Sequence, residues 1–283
     1  MEIIVGKNAG FCYGVKRAVD GAKEEIKNEE QSIYCLGEIV HNNDVVKSLE
    51  SQGIKFIENI SESDGTTIIR AHGIPKDVYE KAKELNIEIK DFTCPKVIKI
   101  HEIAEKYAQK GFYIFLTGSK KHPENIGTMS FCGNNYFIVE NEDMLDDAIE
   151  QFKKSNIKKL LLISQTTFSV EKFKRIHNQI KNKIESNIEF VVKNTICAAT
   201  KVRQEEVAEL AKKVDKMIII GGKNSSNTKK LFEVAKKYCK NSICIENENE
   251  LDLNFFNELD KIGIMAGAST PQESIDAVVR KLV

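Results

Sequence analysis

The chain has 283 residues, 41% of them hydrophobic, and its 42 basic side chains equal its 42 acidic ones in number. A chain of this length usually forms more than one hydrophobic core, so we expect two or three packed subdomains. The balanced charge argues against a protein held by bulk charge to nucleic acid or to an anionic membrane. Apolar runs such as Leu160–Ile163 are far shorter than the roughly 18 residues that span a bilayer, and the N-terminus lacks signal-peptide features. We therefore expect a cytoplasmic protein.

Short β-branched runs alternate with longer amphipathic stretches along the whole chain. The candidate strands, in chain order, are Thr66–Arg70, Phe112–Leu116, Lys159–Ile163, Lys216–Ile220 and Lys261–Met265. Amphipathic stretches such as Lys201–Lys213 carry apolar residues near helical spacing. This rhythm is typical of βα units, so we predict an α/β fold with mostly parallel sheets.

The chain has seven cysteines. An odd number in a reducing compartment argues against a disulfide framework and favours metal binding or catalysis. The close cysteine pairs of zinc ribbons are missing, and the nearest approach is Cys239 and Cys244. These two, together with Cys35 and Cys132, lie in apolar or ordinary settings, and we interpret them as buried filler.

The other three cysteines share a local pattern. Cys12, Cys94 and Cys197 each stand just before an amphipathic stretch, and Pro95 suits the first turn of a helix. A helix N-terminus favours the thiolate, which is the form that binds metal. The spacing suggests one cysteine in each of three α/β units, meeting where the units converge. Three thiolates on a cubane cluster would leave one iron without a protein ligand, open to a substrate.

Histidines follow several predicted strands. His41, His72 and His122 stand in short polar segments just after strands, where open α/β sheets place their ligands. Imidazoles there can donate hydrogen bonds to a phosphate or share its protons. His101 and His177 instead fall in helical stretches rich in Lys and Glu, so we expect them at the surface.

Two polar loops also follow strands. The segment Gly221–Thr228 lacks the glycine spacing of a Walker A loop, but Ser225–Asn227 and the helix N–H groups beside them could hold an anion. The alternative is a polar loop with an N-cap. The segment Gly267–Gln272 repeats the design, with Ser269 as the expected N-cap and Gln272 three residues later.

Nine motifs stand in a fixed order from Gly10 to Gln272. They are GFCYGV, GEIVHN, RAHG, TCP, KKHPEN, SQTT, ICAAT, GGKNSSNT and AGASTPQ. Together they closely resemble the LytB family of 4-hydroxy-3-methylbut-2-enyl diphosphate reductases. The family's activity is the reductive dehydroxylation of this allylic diphosphate to isopentenyl and dimethylallyl diphosphate, the last step of the methylerythritol phosphate route to isoprenoids.

The resemblance implies three α/β units around a pseudo-threefold axis, with a central [4Fe–4S] cluster held by Cys12, Cys94 and Cys197. We place these units at residues 1–95, 96–193 and 194–283. The expected diphosphate contacts are His41, His72, His122, Ser225, Ser226, Asn227 and Ser269. The resemblance further implies that Glu124 delivers protons, that Thr166 positions the hydroxyl or water, and that a ferredoxin- or flavodoxin-type protein donates electrons.

Two other interpretations stay open. A quinolinate-synthase-like enzyme also gathers three cysteines from three α/β units but catalyses a dehydrating condensation, and the KKHPEN and GGKNSSNT motifs disfavour it. The second alternative is a non-redox, anion-binding protein whose cysteines are only buried filler.

Overall fold

The computed structural model describes residues 1–28 and 32–283. In these residues, parallel strands form three four-stranded sheets. The strands are β1 (Glu2–Val5), β2 (Ile33–Leu36), β3 (Ile54–Ile57), β4 (Thr66–Ile69), β5 (Ile89–Asp91), β6 (Tyr113–Thr117), β7 (Tyr136–Val139), β8 (Lys159–Ser164), β9 (Glu189–Val192), β10 (Lys216–Ile220), β11 (Ser242–Ile245) and β12 (Lys261–Ala266). The helices are α1 (Tyr13–Asn28), α2 (Asn43–Ser51), α3 (Lys76–Glu84), α4 (Pro95–Gln109), α5 (Pro123–Met129), α6 (Leu145–Lys154), α7 (Val170–Lys183), α8 (Ala198–Leu210), α9 (Ser226–Tyr238) and α10 (Gln272–Leu282).

The chain divides into two compact bodies. Body 1 comprises Met1–Lys23, Val40–Gly53 and Ala198–Val283, and body 2 comprises Glu24–Ile39 and Ile54–Cys197. Among the described residues, no helix combines the length and the apolar character needed to cross a bilayer.

Body 1 is built on the sheet with strand order β1-β12-β10-β11. Successive side chains of β10 point to opposite faces, as the strand period requires. Ile218 and Ile220 pack with α10, whereas Met217 and Ile219 pack with α8 and α9. Both faces of the sheet are therefore buried, which explains why β10 is a continuous apolar run rather than an alternating one.

Body 2 holds two sheets, with strand orders β3-β2-β4-β5 and β7-β6-β8-β9. The second of these is covered on one face by α6 and α7, around Phe115 and Phe152, and on the other by α4, around Ile100 and Ala104. The first packs against α3 through Ala82. Helix α4, which begins directly after Cys94, thus packs on the sheet that follows it in the chain.

All three sheets repeat one topology. In each, three strands consecutive in the chain pair so that the first of them lies between the other two: β2 between β3 and β4, β6 between β7 and β8, and β10 between β11 and β12. The remaining edge position belongs to β5, to β9 or to β1. The N-terminal strand β1 thus completes the sheet made by the last three strands, pairing with β12 in parallel. This confirms the prediction of three α/β units with parallel sheets. The predicted boundaries at residues 95 and 193 stay predictions.

The predicted strands are all present, with ends that differ from the prediction by no more than one residue. The predicted helix over Lys201–Lys213 is α8, which begins earlier, at Ala198. Each of Cys12, Cys94 and Cys197 directly precedes a helix, as predicted, and Pro95 occupies the first turn of α4.

Candidate functional site

Polar side chains recur at one fixed position after the strands β2, β6 and β10, one in each sheet. His41 lies five residues after β2, His122 five after β6 and Ser225 five after β10. In each case the strand is followed at once by a glycine with positive φ, namely Gly37 (69°), Gly118 (145°) and Gly221 (151°). At Gly221 a Cβ atom would also come within 2.5 Å of Thr228 Oγ1, so only glycine fits this turn.

The strands β4, β8 and β12, again one in each sheet, contribute a second repeated position. The residue two places after each of these strands accepts a hydrogen bond from a cysteine N–H: Ala71 from Cys94 at 3.0 Å, Thr166 from Cys197 at 3.0 Å, and Ala268 from Cys12 at 3.1 Å. The next residues in the chain are His72, Thr167 and Ser269. Each cysteine is therefore fixed, through its own backbone, beside a residue that can contact a ligand. Thr167 was missed from the sequence, and only the repeat of the strand ends points to it.

The helices that follow the three cysteines have an unusual charge pattern. Among the helices in the described part of the chain, α1, α4, α8 and α9 have no acidic residue in the first turn. The other six helices each have at least one. An acidic side chain stabilises a helix N-terminus, so its omission leaves the positive end of the dipole for another anion. The four exceptions are the helices after Cys12, Cys94 and Cys197 and the helix after the Ser225 loop.

Six of the seven cysteines fall into two groups by environment. The seventh, Cys244 in β11, is half-buried rather than buried as predicted. Cys12, Cys94 and Cys197 are half-buried at their helix starts, and none of the seven is in a disulfide. Cys35, Cys132 and Cys239 are buried.

The thiols of the second group donate to backbone carbonyls, with Cys35 bonding Gly37 at 3.2 Å and Cys132 bonding Thr128 at 3.4 Å. Burial raises the pKa of both thiols to about 12, partly offset at Cys35 by the charge of Arg70. These thiols stay protonated at neutral pH and are poor metal ligands. The prediction that they are filler agrees with these contacts.

Body 1 gathers the serine cluster, which consists of His41, Ser225, Ser226, Asn227 and Ser269. Ser269 Oγ donates to the backbone oxygen of His41 at 3.1 Å. A Cβ at Gly222 would lie 2.5 Å from the same oxygen, so the Ser225 loop is packed against His41 as well. Ser269 was predicted to cap α10, and this is wrong. The helix begins at Gln272, and its N-cap is Pro271, which makes no side-chain cap bond.

The serine cluster contains buried polar groups that the chain itself does not satisfy. Asn227 is 3% exposed, and neither its Nδ2 nor its Oδ1 has a hydrogen-bond partner within the part of the chain that the structure describes. Thr228 Oγ1 is likewise buried and has no hydrogen-bond partner among the described residues. Ser225 is the N-cap of α9, and its Oγ accepts from Thr228 N–H at 3.2 Å, so the hydroxyl proton points elsewhere. Ser225 is therefore an N-cap, the alternative that the sequence left open for this loop, and anion binding by its hydroxyl stays a prediction.

Body 2 gathers the glutamate cluster, which consists of His72, His122, Glu124 and Thr166. Glu124 is 2% exposed, and both of its oxygens accept from Thr166, one from the backbone N–H at 2.6 Å and one from Oγ1 at 2.5 Å. Because Thr166 also accepts from Cys197 N–H, one residue positions the carboxyl group and a cysteine together.

Burial raises the pKa of Glu124 to about 7, and the two hydrogen bonds from Thr166 hold it below the value that burial alone would give. A carboxyl group with a pKa near 7 is protonated in an appreciable fraction of molecules at neutral pH. It can therefore donate a proton and afterwards keep a charge that Thr166 stabilises.

His122 has a fixed tautomer. Its Nδ1 accepts a hydrogen bond from Glu124 N–H at 3.2 Å, which makes the imidazole the N-cap of α5. In the neutral ring the proton then sits on Nε2, so this nitrogen is a donor. The ring of His72 lies 5.4 Å from it in an edge arrangement.

A buried amide pair braces the same loops. Asn125 Nδ2 donates to Gln165 Oε1 at 3.1 Å and to Ser119 O at 2.8 Å, and Gln165 Nε2 donates to Thr167 Oγ1 at 2.8 Å. Since Thr167 Oγ1 accepts this bond, its own proton can be donated to a ligand. This network was not predicted, although Asn125 and Gln165 belong to motifs noted in the sequence.

His101 was predicted to lie at the surface, and this is wrong. It is 6% exposed, and its ring stacks on Phe131 at 4.4 Å. Burial lowers its pKa to about 4, against a smaller raising effect of Asp91, so the ring is neutral at neutral pH. His177 is half-buried against Phe190.

Comparisons with known proteins agree with this geometry. The sequence matches the model of a family described as LytB protein over residues 3–283. It is 42% identical to the 4-hydroxy-3-methylbut-2-enyl diphosphate reductase of Clostridioides difficile (strain 630), over 99% of this chain and 98% of that protein. It is also 42% identical to the enzyme of that name from Campylobacter lari, over 100% and 98% of the two chains.

Two solved structures are similar throughout. One is described as (E)-4-hydroxy-3-methyl-but-2-enyl diphosphate reductase, the terminal enzyme of the non-mevalonate pathway, with a TM-score of 0.72, 38% identity and coverage of 100% and 99% of the two chains. The other is the E-1-hydroxy-2-methyl-but-2-enyl-4-diphosphate reductase of Plasmodium falciparum, with a TM-score of 0.89, 33% identity and coverage of 99% and 87%.

The raised pKa of Glu124 predicts a pH-dependent stability. The carboxyl of Glu124 binds its proton more tightly in the folded protein than in the unfolded chain, where its pKa is 4.5. Its contribution to the free energy of unfolding is therefore complete below pH 4.5 and is lost as the pH rises through about 7. Because a difference of one in pKa corresponds to about 1.4 kcal/mol, the free energy of unfolding falls by roughly 3 kcal/mol over this range. We expect Glu124→Gln, which does not titrate, to gain Tm relative to wild type across this window. A difference in Tm that does not change with pH would contradict the assignment.

Proposed function

The chain belongs to the LytB family, and from this membership we propose that it removes the hydroxyl group of 4-hydroxy-3-methylbut-2-enyl diphosphate by two-electron reduction. The products are isopentenyl and dimethylallyl diphosphate, and the reaction is the last step of the methylerythritol phosphate pathway. The observation that carries this proposal is the connection of Glu124, Thr166 and Cys197 by hydrogen bonds, which puts a buried acid of raised pKa next to a candidate metal ligand.

We propose that Cys12, Cys94 and Cys197 each supply a thiolate to a [4Fe–4S] cluster. The residues fit such a group, because each thiol is half-buried at a helix N-terminus whose first turn lacks an acid. Three thiolates give the cluster a net negative charge, which those helix ends stabilise. When bound, the cluster supplies one-electron transfer and the Lewis acidity of an iron that has no protein ligand.

The diphosphate is bound by the serine cluster together with His72 and His122. Asn227 supports this assignment most strongly, because a buried amide without a protein partner is costly unless a ligand completes it. The N–H groups at the start of α9 have no partner within the helix and can bind phosphate oxygens. Nε2 of His122 is a donor, and Thr167, placed like His72 and Ser269 after its strand, adds a hydroxyl.

Glu124 delivers the proton that lets the hydroxyl group leave as water. Protonated, its Oε2 can donate to Thr166 Oγ1, and after the transfer the same pair of oxygens lets Thr166 stabilise the carboxylate. Thr166 thus orients the leaving oxygen and stabilises the charge that Glu124 acquires. With the two electrons that the donor protein supplies, loss of water leaves an allyl anion, and a further proton at either end of it gives the two products.

We also propose that the electrons come from a ferredoxin- or flavodoxin-type protein in the cytoplasm, where the thiols stay reduced. Tyr13 stands directly after Cys12 and is 75% exposed, which is compatible with a partner protein docking nearby. An aromatic ring at the surface is a usual contact for such a partner.

The rival functions fit less well. A non-redox anion-binding protein would need neither a carboxyl group of raised pKa nor three half-buried thiols at helix starts. A quinolinate-synthase-like condensation is disfavoured by the KKHPEN and GGKNSSNT motifs and by the LytB family match over residues 3–283.

The first test concerns the three cysteines. Replacing Cys12, Cys94 or Cys197 singly with Ser should remove iron and lower turnover by more than about tenfold, because a hydroxyl is a poor substitute for a thiolate on iron. The measurement is iron and sulfide content, with substrate-dependent oxidation of a reduced dye. Cys35→Ser and Cys239→Ser are the controls and should keep both. Full iron content and normal turnover in the three ligand variants would remove the proposal.

The second test concerns the diphosphate site. Asn227→Ala should weaken inhibition by inorganic diphosphate by about 1.5–3 kcal/mol, the usual cost of losing a charge-assisted hydrogen bond in a buried site. Asn224→Ala changes an exposed residue of the same loop and should have no effect. The spectrum of the cluster should be the same in both variants. Equal inhibition of wild type and Asn227→Ala would mean that the anion binds elsewhere.

The third test concerns the proton. Glu124→Gln should fold, keep its iron and bind substrate, yet turn over at least about a hundredfold more slowly, because general acid catalysis by one carboxyl group is worth about a hundred- to ten-thousandfold. Glu102→Gln, at an exposed position of α4, is the control. Near-normal turnover of Glu124→Gln with only a lowered Tm would make Glu124 a structural residue.

A further inference from the structure

His101 lies where three functional segments of body 2 come together. A Cβ at Gly73 would come within 3.0 Å of His101 Cε1 and 3.1 Å of Thr93 Cγ2. Gly73 directly follows His72, and Thr93 directly precedes Cys94. The imidazole therefore packs against the backbone that carries His72 and beside the residue that leads into Cys94. Gly73 also has a φ of 73°, so both the positive φ and the close contacts of an added Cβ favour glycine at the bend after His72.

The other side of the ring faces α5. A Cβ at Gly127 would lie 3.5 Å from His101 Nε2 and 3.3 Å from Ile74 O, so α5 packs closely on both His101 and the segment after His72. Gly127 is three residues after Glu124 in this helix. Ser130 Oγ, just past the end of α5, accepts from Lys76 N–H at 3.0 Å and ties the same two segments together.

A histidine is an unexpected filler at this position. Its Nε2 is buried and has no hydrogen-bond partner in residues 1–28 and 32–283. An apolar side chain would avoid that cost. A leucine, however, could not stack flat on Phe131 as the imidazole does at 4.4 Å and 14°.

We propose that His101 is a positioning residue of the reductase, which holds the segments bearing His72, Cys94 and Glu124 in register through its packing against Gly73, Thr93 and Gly127. This inference rests on the proposed function. His101 touches neither substrate nor iron in this account, and it acts through the three segments that do. Residues that orient metal and substrate ligands from behind typically change affinity or activity by about 10- to 100-fold when replaced.

The test compares two truncations in one helix. His101→Ala removes the shared packing surface, whereas Ile100→Ala removes a side chain of the same helix that is 1% exposed and packs into the apolar core around Leu116. Both lose stability. Only His101→Ala should raise KM for the substrate, by at least about tenfold, and shift the electron paramagnetic resonance signal of the reduced cluster. His101→Gln, which fills more of the space, should show the same changes more weakly and serves if the alanine variant does not fold.

The outcomes separate the two levels of the argument. If the His101 variants match Ile100→Ala in KM and in the resonance signal at an equal loss of Tm, His101 is only core filler and the inference is overturned. If the wild-type holoenzyme itself does not turn over the substrate, the proposed function fails. The inference is then decided by calorimetric binding of inorganic diphosphate and by the resonance signal, which should still differ between His101→Ala and Ile100→Ala.

Discussion

The site depends on one electrostatic constraint: helices that begin at the carboxyl ends of parallel strands present a positive end and unsatisfied N–H groups. Six of the helices in the described residues have an Asp or Glu of their own in the first turn, and α1, α4, α8 and α9 do not. The same four helices follow the three candidate cluster cysteines and the Ser225 loop. The sequence leaves positive helix ends where the proposed chemistry places negative charge, and the repeated strand-end geometry places the thiols and hydroxyls beside them.

Two opposing effects set the behaviour of Glu124. Burial disfavours its charged form and raises its pKa, while the two hydrogen bonds from Thr166 favour that form and lower the pKa, which comes to about 7. A more exposed carboxyl would be ionised at neutral pH and unable to donate, while one without Thr166 would hold its proton too tightly. Thr166 therefore does more than position an oxygen. It lowers the pKa of Glu124, and its carbonyl oxygen accepts a hydrogen bond from the Cys197 N–H.

Local patterns were enough for the elements and for the helix starts at Cys12, Cys94 and Cys197, because β-branched runs and amphipathic stretches alternate clearly. The pairing of strands that lie far apart in the chain could not be predicted from these local patterns. The position of β1 beside β12 depends on contacts between the two ends of the chain.

His101 was misplaced because its neighbours in sequence are charged, whereas its burial comes from Phe131 and from loops distant along the chain. Ser269 fits a capping pattern, but the chain turns at Pro271, and the hydroxyl bonds His41 O instead. Residues at ligand sites depart most often from the patterns that local sequence predicts. The wrong predictions for Ser269 and His101 concern a candidate ligand site and a residue packed next to one.

The most direct measurement of the central claim is the ratio of electrons consumed to product formed. Anaerobic protein would be supplied with a reduced dye and 4-hydroxy-3-methylbut-2-enyl diphosphate, and dye oxidation and diphosphate products would be counted in the same sample. The account predicts two electrons for each molecule of isopentenyl or dimethylallyl diphosphate, with no dye oxidation when substrate is omitted. Loss of substrate without dye oxidation, or binding of the diphosphate with no product at all, would contradict it.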